Sequence, residues 1–162
     1  MSERRIPDPT LMARLQLSVK GVDWAASRVA PWQHASLDGE WSAHQHVFHL
    51  LANEHVFLGR IRRAIAEDVP TFERWDSPGH MAREYAREPD IETLAERFMA
   101  ARSETYEFCK GLSAEQWART FVWPDGRTHD LAWLAEKVLW HALDHFATLL
   151  DYHGDFEPLQ GA

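Results

Sequence analysis

Two histidines stand four residues apart near the end of the chain, within the apolar run LWHALDHFATLL (residues 139–150). On an α-helix this spacing brings His141 and His145 to one side, where their ring nitrogens can converge on a metal ion. At about 100° per residue, both rings share the predicted core side with Val138 and Leu149. A buried imidazole without a partner costs about 1–3 kcal/mol, so the pair requires either a metal or hydrogen bonds to neighbouring helices.

A third ligand has several candidates, because four histidines fall within twelve residues near the middle of the chain: His44, His46, His49 and His55. His44 and His46 lie in the first turn of a predicted helix, where water can solvate them. His55 lies among apolar residues beyond the first turns. His49 is flanked by apolar side chains and sits deep enough to face the interior. Its angle places it on the flank of the apolar stripe, so periodicity alone does not select it.

Four long segments with helical periodicity must position these side chains, and each opens with a start signal. The signals, in chain order, are Asp8 with Pro9, the capping box of Ser42 with Gln45, Asp90, and Thr128 or Asp130. The last helix is expected to end near Gly154, since glycine is the common residue after a helix C-terminus. With little strand propensity elsewhere, the pattern predicts an all-α protein, an antiparallel four-helix bundle, with residues 1–162 as one domain.

Two connections interrupt this simple plan. The segment from about 67 to 90 is too long for a hairpin link, contains a short helical pattern in SPGHMAREYA, and is a natural lid or crossover. Trp75, His80 and Tyr85 lie in it and are candidates to border a pocket. Before the last helix, SAEQWA predicts one helical turn, and Pro-Asp-Gly within FVWPDGRT predicts a tight turn or small hairpin.

Composition excludes several classes of function. The 17 basic and 25 acidic residues give a net charge of −8, the wrong sign for a nucleic-acid binder. The single Cys109 excludes an intramolecular disulfide and a thiolate metal cluster, and it fits a reducing cytoplasm. No run of apolar residues is long enough for a membrane span or a signal peptide. We therefore expect a soluble cytoplasmic protein that binds neither nucleic acid nor membranes.

The stretch WSAHQHVFHLLANE, residues 41–54, resembles the first signature of the DinB-like (damage-inducible, YfiT-like) superfamily. That signature has Trp-Ser, a histidine eight residues after the tryptophan, and a glutamate five residues later. The final signature of the family, two histidines four apart in the last helix, is matched by WHALDH, and the PDGRT turn is also similar. The resemblance spans residues 40–153. Its matched positions are Trp41, Ser42, His49, Glu54, His141 and His145.

The resemblance implies a four-helix bundle with a histidine triad that binds a divalent metal, commonly zinc or nickel, at one end. His49, His141 and His145 inherit the ligand role, and Glu54 is the family-matched candidate to orient a ligand ring from outside. Members include thiol S-transferases and isomerases that use low-molecular-weight thiols, and metal-dependent hydrolases. Many relatives continue after the last histidine with Arg-Gly-Gln, whereas residues 146–148 here are Phe-Ala-Thr, which leaves the subfamily and substrate class open.

The chemistry of such a site is that of an open catalytic metal. Three neutral imidazoles leave a divalent ion its full charge and a free position, where it can lower the pKa of water to about 7 or hold a thiol as thiolate. Cys109 is predicted on a buried stripe and is a packing residue, so the nucleophile comes from outside. We expect a metal-dependent enzyme of the thiol S-transferase type. The alternatives are a metal-dependent hydrolase and a non-catalytic binding or immunity-type bundle.

Two other known metal-binding motifs match this sequence less well than the histidine triad. HALDH resembles a degenerate H-x-x-E-H metalloprotease motif, but Asp144 replaces the glutamate and points away from the histidines. No E-x-x-H occurs in the sequence, which argues against a carboxylate-bridged di-iron bundle.

The last helix also predicts a homodimer, because it carries a second apolar stripe about 100° from the histidines. The stripe consists of Leu139, Leu143, Phe146 and Leu150. Trp140 lies nearby, and Lys137 and Trp140 are placed on the side away from the histidines. Either a second copy of the chain or the long connection has to cover this surface.

Overall fold

The computed structural model describes residues 7–28 and 40–151. Within these ranges the chain forms six helices and one two-stranded antiparallel sheet. The elements are α1 (Pro9–Ala26), α2 (Ala43–Ala66), α3 (Ser77–Glu84), α4 (Ile91–Lys110), α5 (Ala114–Trp117), β1 (Thr120–Val122), β2 (Thr128–Asp130) and α6 (Leu131–Asp151). The predicted end of the last helix at Gly154 lies outside the described residues. No helix in these ranges is both long and apolar enough to cross a membrane.

The four long helices begin where the start signals predict. The Asp8 carboxylate accepts a hydrogen bond from the first turn of α1, and both halves of the Ser42 capping box are formed at α2. Asp90 caps α4 in the same way. Of the two candidates for α6, the structure selects Asp130, whose Oδ1 accepts from the backbone N–H of Trp133 at 2.8 Å. These caps satisfy N–H groups that have no partner within their own helix.

The long helices form the predicted four-helix bundle, in which α1 and α2 each pack against both α4 and α6. Helix α2 runs antiparallel to α6, because His46 contacts His145 while Asn53, further along α2, contacts the earlier His141. Helices α1 and α4 are antiparallel as well. The remaining neighbours, α2 with α4 and α1 with α6, are parallel. The first halves of α2 and α4 lie in one core cluster together with the second halves of α1 and α6, and the opposite halves lie in the other cluster.

The parallel arrangement of α2 and α4 explains the long connection between them. Helix α2 has 24 residues and is about 36 Å long, so the chain must return that distance before α4 can start beside it. The connection is therefore a crossover. Its Phe72 is buried against Phe121 of β1, and Thr71 pairs with Val122 through a parallel bridge. The sequence's predicted short helix is present as α3, and the predicted hairpin is present as β1 and β2.

Helix α1, and not the connection, covers most of the second apolar stripe of α6. Leu139 is buried, and Leu143 and Phe146 pack partly buried against the core clusters. A Cβ atom at Gly21 would lie 3.4 Å from the Phe146 ring, so α1 approaches this ring closely. Only the end of the stripe, Leu150, is exposed, at 39%. The expectation that the whole stripe is surplus surface is therefore wrong, because the parallel packing of α1 on α6 uses it within the chain.

Candidate metal centre

The three predicted ligands converge between α2 and α6. One ligand atom from each of His49, His141 and His145 lies within 4.8 Å of the other two. The Nε2 atoms of His49 and His141 are 3.1 Å apart. The antiparallel crossing produces this arrangement, because the early part of α2 meets the later half of α6. His49 is buried and the two α6 rings are half-buried.

The donor set fits a divalent ion of the zinc type. Two tetrahedral nitrogen ligands at 2.0–2.1 Å from zinc lie about 3.3 Å from each other, close to the Nε2 separation observed here. Three imidazoles without a carboxylate or thiolate suit zinc, nickel and neighbouring metals. Three protein ligands also leave at least one position open, as in catalytic sites.

The surroundings keep the three rings neutral, which is the form that binds metal. Burial lowers the pKa of His49 to about 3, that of His141 to about 4 and that of His145 to about 2. The neighbouring imidazoles lower the values for His49 and His145 further, and the charge of Lys137 lowers that of His141. At pH 7 the three rings are therefore uncharged, and each retains one N–H.

Each ligand ring has a polar neighbour outside the triad. The Nδ1 of His49 lies 3.0 Å from Ser77 Oγ, at the start of α3. The Asn53 amide nitrogen lies 2.7 Å from Nδ1 of His141 and 3.1 Å from its Nε2, and an amide can present either its oxygen or its NH₂ group. Partners of this kind fix the ring orientation and tautomer of metal-binding histidines. The neighbour of His145 is a further histidine.

That further histidine is His46, whose Nδ1 lies 2.7 Å from Nδ1 of His145, so one of the two nitrogens carries the shared proton. His46 is 8% exposed and burial lowers its pKa to about 4. The expectation that His46 is solvated in the first turn of α2 is wrong. The sequence feature that could have predicted its burial is the spacing of His46, His49 and Asn53, which places all three on one face of α2.

His44 is also buried, contrary to the same expectation. Its Nε2 donates to the backbone carbonyl of Pro89 and its Nδ1 is hydrogen-bonded with the Tyr85 hydroxyl, both at 2.8 Å. His44 therefore fastens the end of the crossover to α2 and is separate from the triad. His55, the fourth candidate, is exposed.

Two tryptophans enclose the rings. The Trp41 ring centroid lies 4.9 Å from that of His49 and 6.5 Å from that of His145, nearly parallel to the latter. Trp75 of the crossover stacks on the His49 ring, with a centroid distance of 5.5 Å and an interplanar angle of 16°. Of the three crossover residues expected at the pocket, Trp75 lines it. His80 lines a neighbouring groove, and Tyr85 instead binds His44.

Glu54, the family-matched candidate for orienting a ligand, forms an ion pair with Arg102 of α4. The two atoms, Oε2 and Nη2, are 2.8 Å apart, and both side chains are 2% exposed. Arg102 also donates to the Leu15 carbonyl and to Ser18 Oγ, so the pair joins three helices. The described hydrogen bonds of the ligand rings go to Ser77, Asn53 and His46.

A cavity of about 340 Å³ opens beside His49 and His141. Its size is in the range of small-molecule sites. Trp75 and Ser77 of the crossover form one side, and the hairpin residue Trp123 forms another. Lys137 also lines it, so its predicted position away from the histidines is wrong; residues four apart share a helix face.

Cys109 does not contribute a nucleophile to this cavity. It is 1% exposed, and burial raises the pKa of its thiol to about 12. The expectation that it is a packing residue is confirmed.

Comparison with known proteins agrees with this fold. YfiT from Bacillus subtilis, described as a probable metal-dependent hydrolase with an unusual four-helix bundle topology, superposes with a TM-score of 0.81 at 17% identity, covering 90% of this chain and 85% of YfiT. A DinB-like protein from Bacillus subtilis, YjoA, superposes with a TM-score of 0.63 at 17% identity, covering 91% of this chain and 94% of that protein. No curated protein matches the sequence. The family model of the DinB superfamily matches residues 24–149, most of the sequence, and the chain therefore belongs to the DinB superfamily.

Proposed function

We propose that this chain is a metal-dependent enzyme that acts on a small molecule, with a divalent ion held by His49, His141 and His145. The observation that carries the proposal is the convergence of three neutral imidazoles beside an open cavity. Zinc and nickel are the candidate ions, since both accept imidazole nitrogen. A divalent ion with three neutral ligands supplies an activated nucleophile by lowering the pKa of water or of a thiol.

The residues of this chain hold and shape the site. Ser77, Asn53 and His46 contact the ligand rings and orient them. Trp41 and Trp75 pack on the rings and exclude water from two sides. The cavity beside the rings then holds the substrate. Because Cys109 is buried and its thiol is protonated, the nucleophile is a second small molecule or water.

Our first candidate is transfer of a low-molecular-weight thiol, which the family resemblance suggests. The second candidate is hydrolysis, and it is favoured by the structural likeness to YfiT, the probable metal-dependent hydrolase. A binding or immunity-type bundle without turnover is the third. The open cavity beside the triad supports an enzyme over this last alternative.

Metal analysis tests the triad. Protein purified without a nickel column should hold about one divalent ion per chain, and His145→Ala should lose most of it, because two imidazoles do not supply the coordination that zinc prefers. His55→Ala is the matched control, since this histidine is exposed on α2 and should leave the metal content unchanged. Full metal content in both His141→Ala and His145→Ala would show that the triad is not the site.

Cobalt substitution separates the candidate reactions. A thiol that binds as thiolate should add a sulfur charge-transfer band near the ultraviolet, and the band should be absent in His145→Ala. If no tested thiol produces the band, hydrolysis or binding without turnover becomes the better proposal. Turnover of ester or amide substrates by the zinc form would then favour the hydrolase.

We also propose that the protein is cytoplasmic and forms a homodimer. The single buried Cys109 supports a reducing compartment. The dimer is supported by large apolar side chains that remain exposed on α1 and α6, namely Leu17, Trp24, Trp140 and Leu150.

A further inference from the structure

We propose that the cavity beside the triad selects a small organic anion, whose carboxylate or phosphate group is held by Arg60, Arg74 and Lys137. This inference deepens the proposed function by naming the class of substrate. It depends on the cavity being the substrate site of the metal centre.

The first observation is that the cavity carries a net positive charge. Three cationic side chains line it, Arg60, Arg74 and Lys137, against a single carboxylate, Asp125. Asp125 already has a positive neighbour outside this set, since its Oδ2 lies 3.9 Å from Nε of Arg127. The whole chain, by contrast, carries a net charge of −8. An acidic protein that collects positive charge around one cavity attracts anions there and repels them elsewhere.

The second observation is that two of the cations share one aromatic ring. The Arg60 guanidinium carbon lies 4.7 Å from the centroid of Trp123, and the Lys137 ammonium lies 5.5 Å from it. They come from different helices, α2 and α6. The two like charges repel each other, and their contacts with the ring offset part of that repulsion. An anion bound near both cations would offset more of it.

The third observation is that the cations are available. Among the residues that the structure describes, none of Arg60, Arg74 and Lys137 forms an ion pair with a carboxylate. Arg60 is held in place by one hydrogen bond, from its Nη2 to the backbone carbonyl of Glu73 at 2.7 Å. A guanidinium has five N–H donors, so this bond leaves others for a ligand. A positioned, half-buried arginine with spare donors is suited to a carboxylate or a phosphate.

The rest of the ligand should be flat or apolar. Trp75, Trp123 and Phe57 line the same cavity, and they offer aromatic surface next to the charged groups. Lys137 stands one turn before His141 on α6, so an anion held there has its remainder near the metal ligands. The anion-binding side chains therefore orient the substrate toward the reactive position.

Calorimetry with three related probes tests the proposal on the full chain, with the metal content recorded for every sample. The probes are 2-naphthoate, 2-naphthyl phosphate and the neutral 2-naphthamide. We expect at least one anion to bind about tenfold more tightly than the amide, the factor expected from one charge-assisted hydrogen bond. The anion that binds more tightly identifies the group, carboxylate or phosphate. Added salt should weaken its binding and leave that of the amide unchanged.

Charge variants separate the cations from the metal, which can itself bind a carboxylate. Arg74→Gln and Lys137→Gln should each lower the affinity for the anion about tenfold without lowering the metal content. Lys110→Gln is the matched control, because it removes an equal charge from an exposed site on α4 outside the cavity. The proposal is overturned by equal affinity for amide and anions, by no binding of either anion, or by an equal loss in Lys110→Gln. A protein without metal that still prefers anions would contradict the proposed function alone.

Discussion

Among the described residues, the hydrogen-bond partners of the triad rings outside the triad are uncharged groups. Metal-binding histidines often donate to a carboxylate, which makes the ring a stronger base and passes negative charge toward the metal. Here the neighbours are a hydroxyl, an amide and an imidazole, from Ser77, Asn53 and His46. An ion in this site would keep more of its positive charge. The arrangement therefore favours strong polarisation of whatever occupies the open position.

The Glu54–Arg102 pair should act on stability. Glu54→Gln leaves the Arg102 charge buried without its partner, and breaking a buried ion pair in this way costs about 3–5 kcal/mol of unfolding free energy. Urea unfolding measures the loss. Glu104→Gln is a matched control on α4, since its pair with Arg62 is more than half exposed and should contribute less than about 1 kcal/mol.

Metal content of the same two variants decides the role that the family resemblance gives to Glu54. If Glu54 only stabilises the folded protein through Arg102, Glu54→Gln protein that still folds should retain its metal. If Glu54→Gln instead unfolds like Glu104→Gln but loses metal, the carboxylate orients a ligand ring as the resemblance implies.

Acid should destabilise the metal-free protein through its buried imidazoles. Above pH 6.5, the ordinary pKa of histidine, the rings are mostly neutral in both the folded and the unfolded chain, so they do not make the free energy of unfolding depend on pH. Below it the unfolded chain takes up protons, whereas His46 and His141 stay neutral in the folded chain to about pH 4. Each ring then lowers the free energy of unfolding by up to about 1.4 kcal/mol for every pH unit below 6.5.

Unfolding curves between pH 7 and about pH 5 check this prediction. The loss of stability should be smaller in His46→Phe, which removes one of these titrating groups, and unchanged in His55→Ala. A free energy of unfolding that stays level across this range would show that the rings are protonated without cost in the folded protein.

Helical spacing identified two of the triad residues as candidates, and the family resemblance supplied the third. The His141 and His145 pair was visible as a helical spacing, but His49 lies on the flank of the α2 stripe and needed the resemblance to be chosen. His46 and Asn53 were missed because a polar side chain on a helix has no recognisable partner until the opposing helix is placed. Their burial depends on the crossing of α2 and α6.

At the scale of elements, the start of α2 links folding to the metal site. The Ser42 capping box fixes the first turn, and His46 and His49 follow directly. Ser42→Ala should lower the free energy of unfolding by about 1 kcal/mol and should also weaken metal binding, because the first turns carry two rings of the site. Metal titration and urea unfolding of one preparation measure both effects.

Helix α5 provides the control for this substitution. Ser113 forms the same kind of capping box, with Gln116, on an element that contributes nothing to the triad. Ser113→Ala should therefore affect stability only. An equal weakening of metal binding in both variants would show that global stability, and not the start of α2, determines the affinity.

The boundaries of the elements were predictable, since caps are local signals. Asp8, Ser42 and Asp90 act where the sequence indicates, and Gly126 adopts a φ of +83° in the predicted hairpin turn, a conformation that glycine permits. The directions of the helices were not predictable in the same way. The parallel pairing of α2 with α4 depends on which apolar faces fit together. The length of the crossover was the one sequence feature that indicated this pairing.

At the scale of the whole molecule, charge and apolar surface occupy different places. The cationic cavity faces the hairpin and the crossover, whereas the exposed large apolar side chains of α1 and α6 are Leu17, Trp24, Trp140 and Leu150. Parallel packing places α1 and α6 side by side. Trp140 lies three residues after the cavity-lining Lys137, so a partner on these helices would lie next to the cavity.

The homodimer prediction consequently moves from the covered stripe to this outer surface. Trp140 is 62% exposed, and in a two-fold interface a charge placed there meets its own copy or apolar surface. Trp140→Glu should shift the protein from dimer to monomer in sedimentation while changing the unfolding free energy by about 0.5 kcal/mol or less. Phe146→Glu should instead cost roughly 3 kcal/mol, because this ring packs against Gly21 within the chain. An unmodified protein that sediments as a monomer at micromolar concentration would end the dimer proposal.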